Sequence, residues 1–448
     1  MVSEAANVRP GPKGQAIIER DNRRMSGSIV RRYPFVIEKG RGAHVWDVDG
    51  EEYIDFAAGI AVTATGHSHP QVVKAIQEQA EKFIHIAGTD YYYDVQVSVA
   101  ERLNAIAPFD DDSRVFLTNS GAEAVEGAVK LAKWFTQRHQ VIAFHGAFHG
   151  RTMGALSLTA SKTIQRSGFF PLMPGVHHVP YNNPYRCGHG REEAQCQAHC
   201  MCADYIEDVL FQRTVPADDV AAIIVEPIQG EGGYVVPDVR FMQQLGDICE
   251  KHGIMLIADE VQTGIGRTGK WWAIEHYDVQ PDIVCSAKGI ASGMPLGAII
   301  AREELMTWPA GSHGSTYGGN PVACAAALAT LDLVESEYMA NANEQGAHIM
   351  DALEEMRDRH PTMQHARIDG RGLMIGVELV LDETRQPAKA IRNRTEQIGI
   401  ENGLLILGAG TSAIRFCPPL MIERDTVDEG LHRFDASLTQ AEREAGLL

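Results

Sequence analysis

The chain has 448 residues, 44% hydrophobic and 22% charged, a composition typical of a protein with a large core and more than one domain. Its 40 basic and 59 acidic side chains give a formal net charge of −19, which argues against nucleic acid or an anionic membrane as a partner. No apolar run approaches the ~20 residues that a membrane span needs. Eight cysteines, with no apolar secretion signal in residues 1–15, favour reduced thiols and a cytoplasmic location.

The first predicted element in chain order is a β-hairpin. Residues 44–48 and 51–56 flank Asp49-Gly50, a pair that favours a type I′ turn. Residues 1–15 before it are rich in proline and glycine, which predicts a mobile tail.

Seven short apolar segments follow, and most are separated by stretches of helical periodicity. They cover residues 114–118, 141–145, 176–180, 221–225, 254–258, 283–286 and 297–301. Between the fourth and fifth, Phe241, Leu245 and Ile248 recur at helical spacing. This alternation indicates α/β units around a sheet. Beyond about residue 335 the pattern becomes α+β, with strand-like runs at residues 373–380, 404–407 and 413–417.

A cysteine-rich stretch lies between the third and fourth of these segments. Its members are Cys187, His189, Cys196, His199, Cys200 and Cys202. We expect a loop or insertion here, before a helix over residues 203–210. The spacing fits no zinc-ribbon pattern, so free or redox-active thiols are favoured over a structural metal. We predict no metal site and assign this stretch no role.

Lys288 and Asp259 each follow an apolar segment, and both are therefore expected at the carboxyl edge of the sheet, where ligands of open α/β sheets bind. A lysine there can hold an aldehyde cofactor as a Schiff base. An aspartate can keep a pyridine nitrogen protonated, so that the ring withdraws electrons. The ordinary alternatives are a surface lysine and a helix cap.

Ser120, Gly121 and Ala122 lie where the first apolar segment gives way to an amphipathic helix. Backbone N–H groups at such a helix start, together with a hydroxyl and a glycine, can bind a phosphate. The pattern alone is weak, because Ser120 can equally be an ordinary N-cap.

Six motifs in a fixed order resemble those of the class III aminotransferases. They are NSGAE at 119–123, FHGR at 148–151, EPIQGEGG at 226–233, DEVQ at 259–262, SAKG at 286–289 and GSTYGGNP at 314–321. The resemblance covers roughly residues 42–419 and is strongest to the 4-aminobutyrate aminotransferases within that family.

The resemblance implies an α/β, fold-type I transferase that depends on pyridoxal 5′-phosphate. Its large domain, residues 66–335, should contain a mostly parallel seven-stranded sheet. A smaller α+β domain should combine residues 1–65 with residues 336–448. The family arrangement also implies a homodimer with the active site at the interface, and no nucleic acid or membrane partner.

The resemblance also assigns roles at the cofactor. Lys288 and Asp259 are the implied catalytic residues, and His149 is either a support or merely packed. The remaining implied cofactor contacts are Ser120, Gly121 and Ala122 at the phosphate, Phe148 and Val261 on the two ring faces, Gln262 at the phenolic oxygen, Glu226 as a support, and Thr316 at the phosphate of the neighbouring subunit's cofactor.

Four further residues are implied to bind substrate. Arg415 would take the α-carboxylate of glutamate through a bidentate fork. Glu231 would pair with Arg415 when a donor without an α-carboxylate is bound, and swing aside for glutamate. Arg151 would take the remote carboxylate, and Ile60 would enter the site. The plainer alternatives are a salt bridge for Arg151 and an ordinary loop acid for Glu231.

The implied reaction moves the amino group of an ω-amino acid, most simply 4-aminobutyrate, to 2-oxoglutarate, giving succinate semialdehyde and glutamate. Acetylornithine and ornithine aminotransferases share the charged pattern, although Ile60 in place of a tyrosine argues against ornithine. Some relatives are amino-acid racemases or epimerases, which exchange no amino group with 2-oxoglutarate. A cofactor-binding protein without catalysis is disfavoured, because every chemical position is filled.

Overall fold

The structure is a computed structural model that describes residues 10–31, 33–190, 192–198 and 201–448. Its strands, β1 to β15, are Ile37–Arg41, His44–Asp47, Glu52–Asp55, Ser113–Thr118, Gln140–Phe144, Val176–Val179, Val220–Val225, Met255–Asp259, Ile283–Ser286, Gly297–Arg302, Arg367–Arg371, Met374–Glu378, Leu404–Leu405, Leu407–Ala409 and Ala413–Phe416. Its helices, α1 to α15, are Pro12–Arg24, Ala58–Ala61, Pro70–Lys82, Asp94–Ala105, Gly121–Thr136, Met153–Leu158, Thr163–Arg166, Glu193–Ala198, Met201–Tyr205, Phe211–Arg213, Val239–His252, Pro321–Leu333, Met339–Met356, Lys389–Glu401 and Arg424–Glu444.

The centre of the molecule is a seven-stranded sheet in the order β4-β10-β9-β8-β7-β5-β6. Its strands run parallel except β10, which is antiparallel to both β4 and β9. All six residues of β7 are buried, as expected of a strand covered on both faces by helices. The seven predicted strands and the α/β fold class are confirmed.

The predicted helix between β7 and β8 is also present, as α11. The Asp238 side chain accepts a hydrogen bond from the Arg240 N–H at its start, and Gly253 ends it with φ of 61°. Phe241, Leu245 and Ile248 are buried on the face that meets the core. The helical spacing read from the sequence was therefore correct.

Two four-stranded sheets lie outside the central one, in the orders β1-β2-β3-β13 and β11-β12-β15-β14. The first joins both ends of the chain, because Leu404 and Leu405 of β13 pair in parallel with Ile54 and Asp55 of β3. We therefore propose that residues 1–65 and 336–448 form one smaller unit beside residues 66–335.

Two predictions near the N-terminus need correction. The hairpin of β2 and β3 exists, but its turn is not type I′: Gly50 has φ of 95°, whereas Asp49 is not among the described residues with positive φ. The Asp47 carboxylate instead accepts hydrogen bonds from the Asp49 and Glu51 N–H groups and shapes a wider loop. The predicted tail is wrong from Pro12 onward, where α1 begins, and residues 1–9 lie outside the described chain.

The cysteine-rich stretch is more helical than predicted, since it contains α8 and α9. Cys196 and Cys202 are buried and Cys187 is half-buried, while His199 and Cys200 fall outside the described residues. Within the described ranges no group of three or more His, Cys, Asp or Glu side chains is placed to hold a metal. Nor is any described helix both long and apolar enough to cross a bilayer.

Candidate active site

A cavity of about 420 Å³ lies at the carboxyl edge of the central sheet, where β4, β5, β7, β8 and β9 end. Ten of the predicted site residues line it: Ser120, Gly121, Ala122, Phe148, Arg151, Glu226, Asp259, Val261, Gln262 and Lys288. Four do not: Ile60, Glu231, Thr316 and Arg415. The strand ends thus bring together nine of the ten residues predicted for the cofactor, whereas only Arg151 of the four residues predicted for substrate lines the cavity.

Lys288 follows β9 and begins a short 3-10 turn, Lys288–Ala291, with a left-handed φ of 45°. Burial lowers the pKa of its amine to about 8, opposed by the charge of Asp259 and assisted by that of Arg415. An ordinary lysine has a pKa of about 10.4, so near neutral pH the unprotonated amine is far more abundant for Lys288 than for an ordinary lysine. The site therefore supplies an amine that can act as a nucleophile or a base.

Asp259 ends β8 and is paired with a buried histidine that the sequence analysis left undecided. His149 Nδ1 lies 2.6 Å from Asp259 Oδ2, and both side chains are buried. Burial disfavours the charged imidazole, but the hydrogen bond and charge of Asp259, together with Glu226, outweigh it and raise the pKa of His149. The second Asp259 oxygen accepts from the Val261 N–H at 3.1 Å, which fixes the carboxylate orientation.

Glu226 links two of the loops that form the cavity. One of its oxygens accepts from the Phe148 N–H at 3.0 Å, and the other accepts from the Gly230 N–H at 3.1 Å. Burial raises the pKa of this carboxyl to about 7, although the neighbouring His149 opposes the shift. The Phe148 ring is held at the cavity as a result, with the Arg151 guanidinium 5.6 Å from its centre.

The predicted phosphate cradle lies at the start of α5. Ser120 caps this helix, since its hydroxyl accepts from the Glu123 N–H at 3.2 Å, and it lines the cavity as well. A Cβ on Gly121 would lie 2.7 Å from Val261 Cγ1, so only glycine fits there without displacing Val261. The other two N–H groups of this first turn, those of Gly121 and Ala122, precede any acceptor within the helix and suit an anion.

These features fit a phosphorylated aldehyde with a ring nitrogen. The helix start suits the phosphate, Lys288 suits the aldehyde, and the buried Asp259 suits a protonated nitrogen. Gln262 lines the same cavity, and its buried Oε1 has no hydrogen-bond partner among the described residues. A polar substituent on the cofactor ring would give this amide the hydrogen-bond partner that it lacks.

Beside the cavity, Glu231 lies between two cations. Arg415 Nη1 on β15 is 3.6 Å from Glu231 Oε2, and the Arg415 side chain is 7% exposed. Lys162 Nζ donates a short hydrogen bond to the other oxygen of Glu231. The sequence analysis missed Lys162, because 69 residues separate it from Glu231 and no local pattern joins them.

The other two predicted substrate residues, Arg151 and Ile60, are exposed, and so is Thr316, which was predicted for the neighbouring subunit's cofactor. Arg151 lies at the mouth of the cavity, and Thr316 lies in the loop before α12. Ile60 is 45% exposed and belongs to α2, whose four residues all have positive φ. Asp55 stabilises this left-handed turn, because its Oδ1 accepts from the Ala57 and Ala58 N–H groups. The turn leads directly to Val62, which lines the cavity.

Comparison with known protein families gives one match over nearly the whole chain. The family described as aminotransferase class-III matches residues 26–438. Similar curated proteins include the acetylornithine aminotransferase of Methanopyrus kandleri, 43% identical over 93% of this chain and 96% of that protein. The 4-aminobutyrate aminotransferase of Mycobacterium tuberculosis is 40% identical over 94% and 95% of the two chains. The alanine/serine racemase of Pyrococcus horikoshii is 40% identical over 96% and 91%.

Solved structures agree with the fold. A Bacillus anthracis aminotransferase superposes with a TM-score of 0.87 at 26% identity, covering 96% of this chain and 99% of that one. An amine transaminase from an uncultivated Pseudomonas species, solved in a pyridoxal-phosphate-bound form, gives a TM-score of 0.85 at 31% identity over 93% and 98%. The solved structures therefore share one architecture with this chain, whereas the curated relatives differ in the reaction for which they are named.

Proposed function

Since the chain belongs to the class III aminotransferases, a family that depends on pyridoxal phosphate, we propose that it transfers the amino group of 4-aminobutyrate to 2-oxoglutarate. The products would be succinate semialdehyde and glutamate. The observation that carries this proposal is the pair of Glu231 and Arg415 beside the lysine cavity.

The cavity residues would hold pyridoxal 5′-phosphate. Ser120, Gly121 and Ala122 would bind the phosphate, Phe148 and Val261 would enclose the ring, Gln262 would meet its phenolic oxygen, and Glu226 would hold Phe148 in place. When bound, the cofactor withdraws electrons from the substrate carbon and carries the amino group between donor and acceptor. Asp259, supported by His149, would provide the negative charge that keeps the ring nitrogen protonated, and Lys288 would move the substrate proton.

The charged groups around the cavity explain how one site accepts both substrates. 4-Aminobutyrate carries one carboxylate, which we assign to Arg151 at the cavity mouth. An unpaired buried Arg415 would then be costly, and Glu231 supplies the missing anion. 2-Oxoglutarate carries a second carboxylate, which would replace Glu231 on Arg415. Ile60, in the turn before the cavity, would meet the substrate chain.

We also propose that the enzyme is a homodimer in which Thr316 reaches the phosphate of the partner's cofactor. Thr316 is exposed and lies outside its own chain's cavity. The adjacent Tyr317 ring is 61% exposed and packs 5.0 Å from His85, next to the exposed Ile84. Apolar surface of this kind is commonly covered by a partner.

The two half-reactions test this proposal separately. The cofactor-loaded enzyme is mixed with 4-aminobutyrate alone, and succinate semialdehyde is measured; one molecule per active site is expected. 2-Oxoglutarate is then added, and an equal amount of glutamate is expected. If the enzyme releases no semialdehyde yet reacts with acetylornithine or another amine, the donor assignment is wrong while the aminotransferase assignment holds.

A second candidate is an amino-acid racemase, because a racemase is among the relatives that are 40% identical. Such an enzyme would invert L-alanine or L-serine without any keto acid. Chiral chromatography of either amino acid after incubation with the enzyme alone would reveal the D form. Inversion without 2-oxoglutarate, and no glutamate when it is added, would favour this candidate over the first.

A further inference from the structure

We propose that Lys162 is a positioning residue that holds Glu231 away from Arg415 while a substrate carboxylate occupies Arg415. The inference rests on the proposed function and deepens it, because it explains how the site admits a substrate with two carboxylates. It concerns a lysine that none of the six sequence motifs contains.

The geometry favours Lys162 over Arg415 as the stronger partner of Glu231. The Lys162 ammonium makes a hydrogen-bonded salt bridge to one oxygen of Glu231. Arg415 Nη1 is 3.6 Å from the other oxygen, beyond a normal hydrogen bond. In the described part of the chain, Arg415 Nη1 and Nε have no hydrogen-bond partner. Glu231 is therefore hydrogen-bonded to Lys162 rather than to Arg415. The Arg415 guanidinium retains N–H donors that can bind another carboxylate.

The backbones on both sides of this contact are fixed, so any movement falls to side chains. The Glu231 carbonyl accepts from the Gly410 N–H at 2.8 Å. The segment before Lys162 is tied to the loop after β5, since the Ala160 N–H donates to the Ala147 carbonyl at 2.8 Å. Lys162 and Glu231 are 28% and 21% exposed, which leaves room for rotamer changes.

The balance of charges explains why two cations, Lys162 and Arg415, face the Glu231 carboxylate. Glu231 alone faces Lys162 and Arg415, which leaves this group with one excess positive charge. A substrate α-carboxylate on Arg415 converts it into two balanced pairs, substrate with Arg415 and Glu231 with Lys162. Among the described cations, Glu231 would without Lys162 keep only Arg415 as a partner, and its displacement would leave a half-buried carboxylate unpaired. Loss of Lys162 should therefore weaken the binding of dicarboxylates more than the binding of monocarboxylates.

Two unreactive ligands separate this effect from catalysis. Glutarate has the two carboxylates of 2-oxoglutarate, whereas butyrate has the single carboxylate of 4-aminobutyrate. Calorimetric titration of the cofactor-loaded enzyme should show that Lys162→Met weakens the binding of glutarate about tenfold and changes the affinity for butyrate by less than twofold. Lys162→Arg should retain glutarate affinity. In turnover, the KM for 2-oxoglutarate should rise in Lys162→Met by more than kcat falls.

A matched control is Lys74→Met, because Lys74 makes an exposed pair with Glu78 on α3 and its removal should change neither affinity. In a Glu231→Gln background, Lys162→Met should have less than twofold further effect on glutarate. Lys162→Gln serves as a second variant if Lys162→Met does not fold.

The outcomes distinguish the two levels of the argument. Equal weakening of glutarate and butyrate, or unchanged glutarate affinity in Lys162→Met, would overturn the role of Lys162 and leave the proposed function standing. A wild-type enzyme that neither binds glutarate nor uses 2-oxoglutarate would overturn the proposed function, and this inference with it.

Discussion

The lysine cavity and the charged group beside it are built in different ways. Asp259, Glu226 and Lys288 lie at the ends of parallel strands or within two residues of them. Asp259 and Glu226 are buried, and Lys288 is partly buried. Glu231 and Lys162 lie in loops and are half-buried, and Glu231 links Lys162 to Arg415 on an antiparallel strand of another sheet. The first region is held by the main sheet, and the second is held by ion pairs between separate loops and strands.

Under the proposed function, this difference separates the residues for chemistry from the residues for substrate specificity. Strand ends hold side chains within the narrow limits that proton transfer requires. Ion pairs at a partly exposed surface are weaker and rearrange at a lower energetic cost. Relatives named for two aminotransferase reactions and for a racemase reaction match this chain at 40% to 43% identity over most of its length. The architecture therefore identifies the family more firmly than it identifies the substrate.

The largest expected effect comes from the cavity itself. Lys288→Ala should lower turnover by about a thousandfold or more, since it removes the amine that would move the substrate proton. The assay is glutamate formation from 4-aminobutyrate and 2-oxoglutarate, with Lys74→Ala as an exposed control. Retention of a tenth of wild-type activity would remove Lys288 from the mechanism.

Arg415→Lys should affect the two substrates unequally. A lysine keeps the charge but loses the two-pronged contact with a carboxylate. We expect the KM for 2-oxoglutarate to rise about tenfold to a hundredfold, and the half-reaction with 4-aminobutyrate to change by less than about threefold. Arg23→Lys, on the exposed face of α1, is the matched control. Equal losses in both halves would mean that the charged group does not distinguish the substrates.

Gly121→Ala should weaken cofactor binding about tenfold, because the new methyl group would collide with Val261 at the start of α5. Gly27→Ala is the control, since a Cβ there meets nothing within 4 Å. Adding Val261→Ala should restore part of the affinity by removing the collision. The dissociation constant of pyridoxal phosphate measures the effect, and an unchanged constant would place the phosphate elsewhere.

The pH dependence of cofactor capture should report the lowered pKa of Lys288, about 8. Only the unprotonated amine reacts with an aldehyde, so capture by the cofactor-free enzyme should rise about tenfold per pH unit below that pKa and level off above it. A rate that keeps rising to about pH 10 would show an ordinary lysine. The expected change in the capture rate is roughly tenfold between pH 7 and the plateau.

The sequence predicted the lysine cavity better than the charged group beside it, for a physical reason. Each strand end is a local pattern, so the seven strands and the placement of Ser120, Asp259 and Lys288 at one edge could be predicted from short segments. The contact of His149 with Asp259 spans 110 residues, and that of Lys162 with Glu231 spans 69. Neither leaves a local signal. The predicted type I′ turn at Asp49-Gly50 was wrong because the Asp47 side chain, which lies outside that pair, sets the shape of the loop.

The most direct test of the account follows the amino group itself. The enzyme loaded with pyridoxal phosphate is given 4-aminobutyrate labelled with heavy nitrogen and unlabelled 2-oxoglutarate, and the glutamate is analysed by mass spectrometry. The account predicts labelled glutamate over many turnovers, matched by succinate semialdehyde and lost in Lys288→Ala. Absence of labelled glutamate, together with inversion of L-alanine or L-serine by the same preparation, would contradict it.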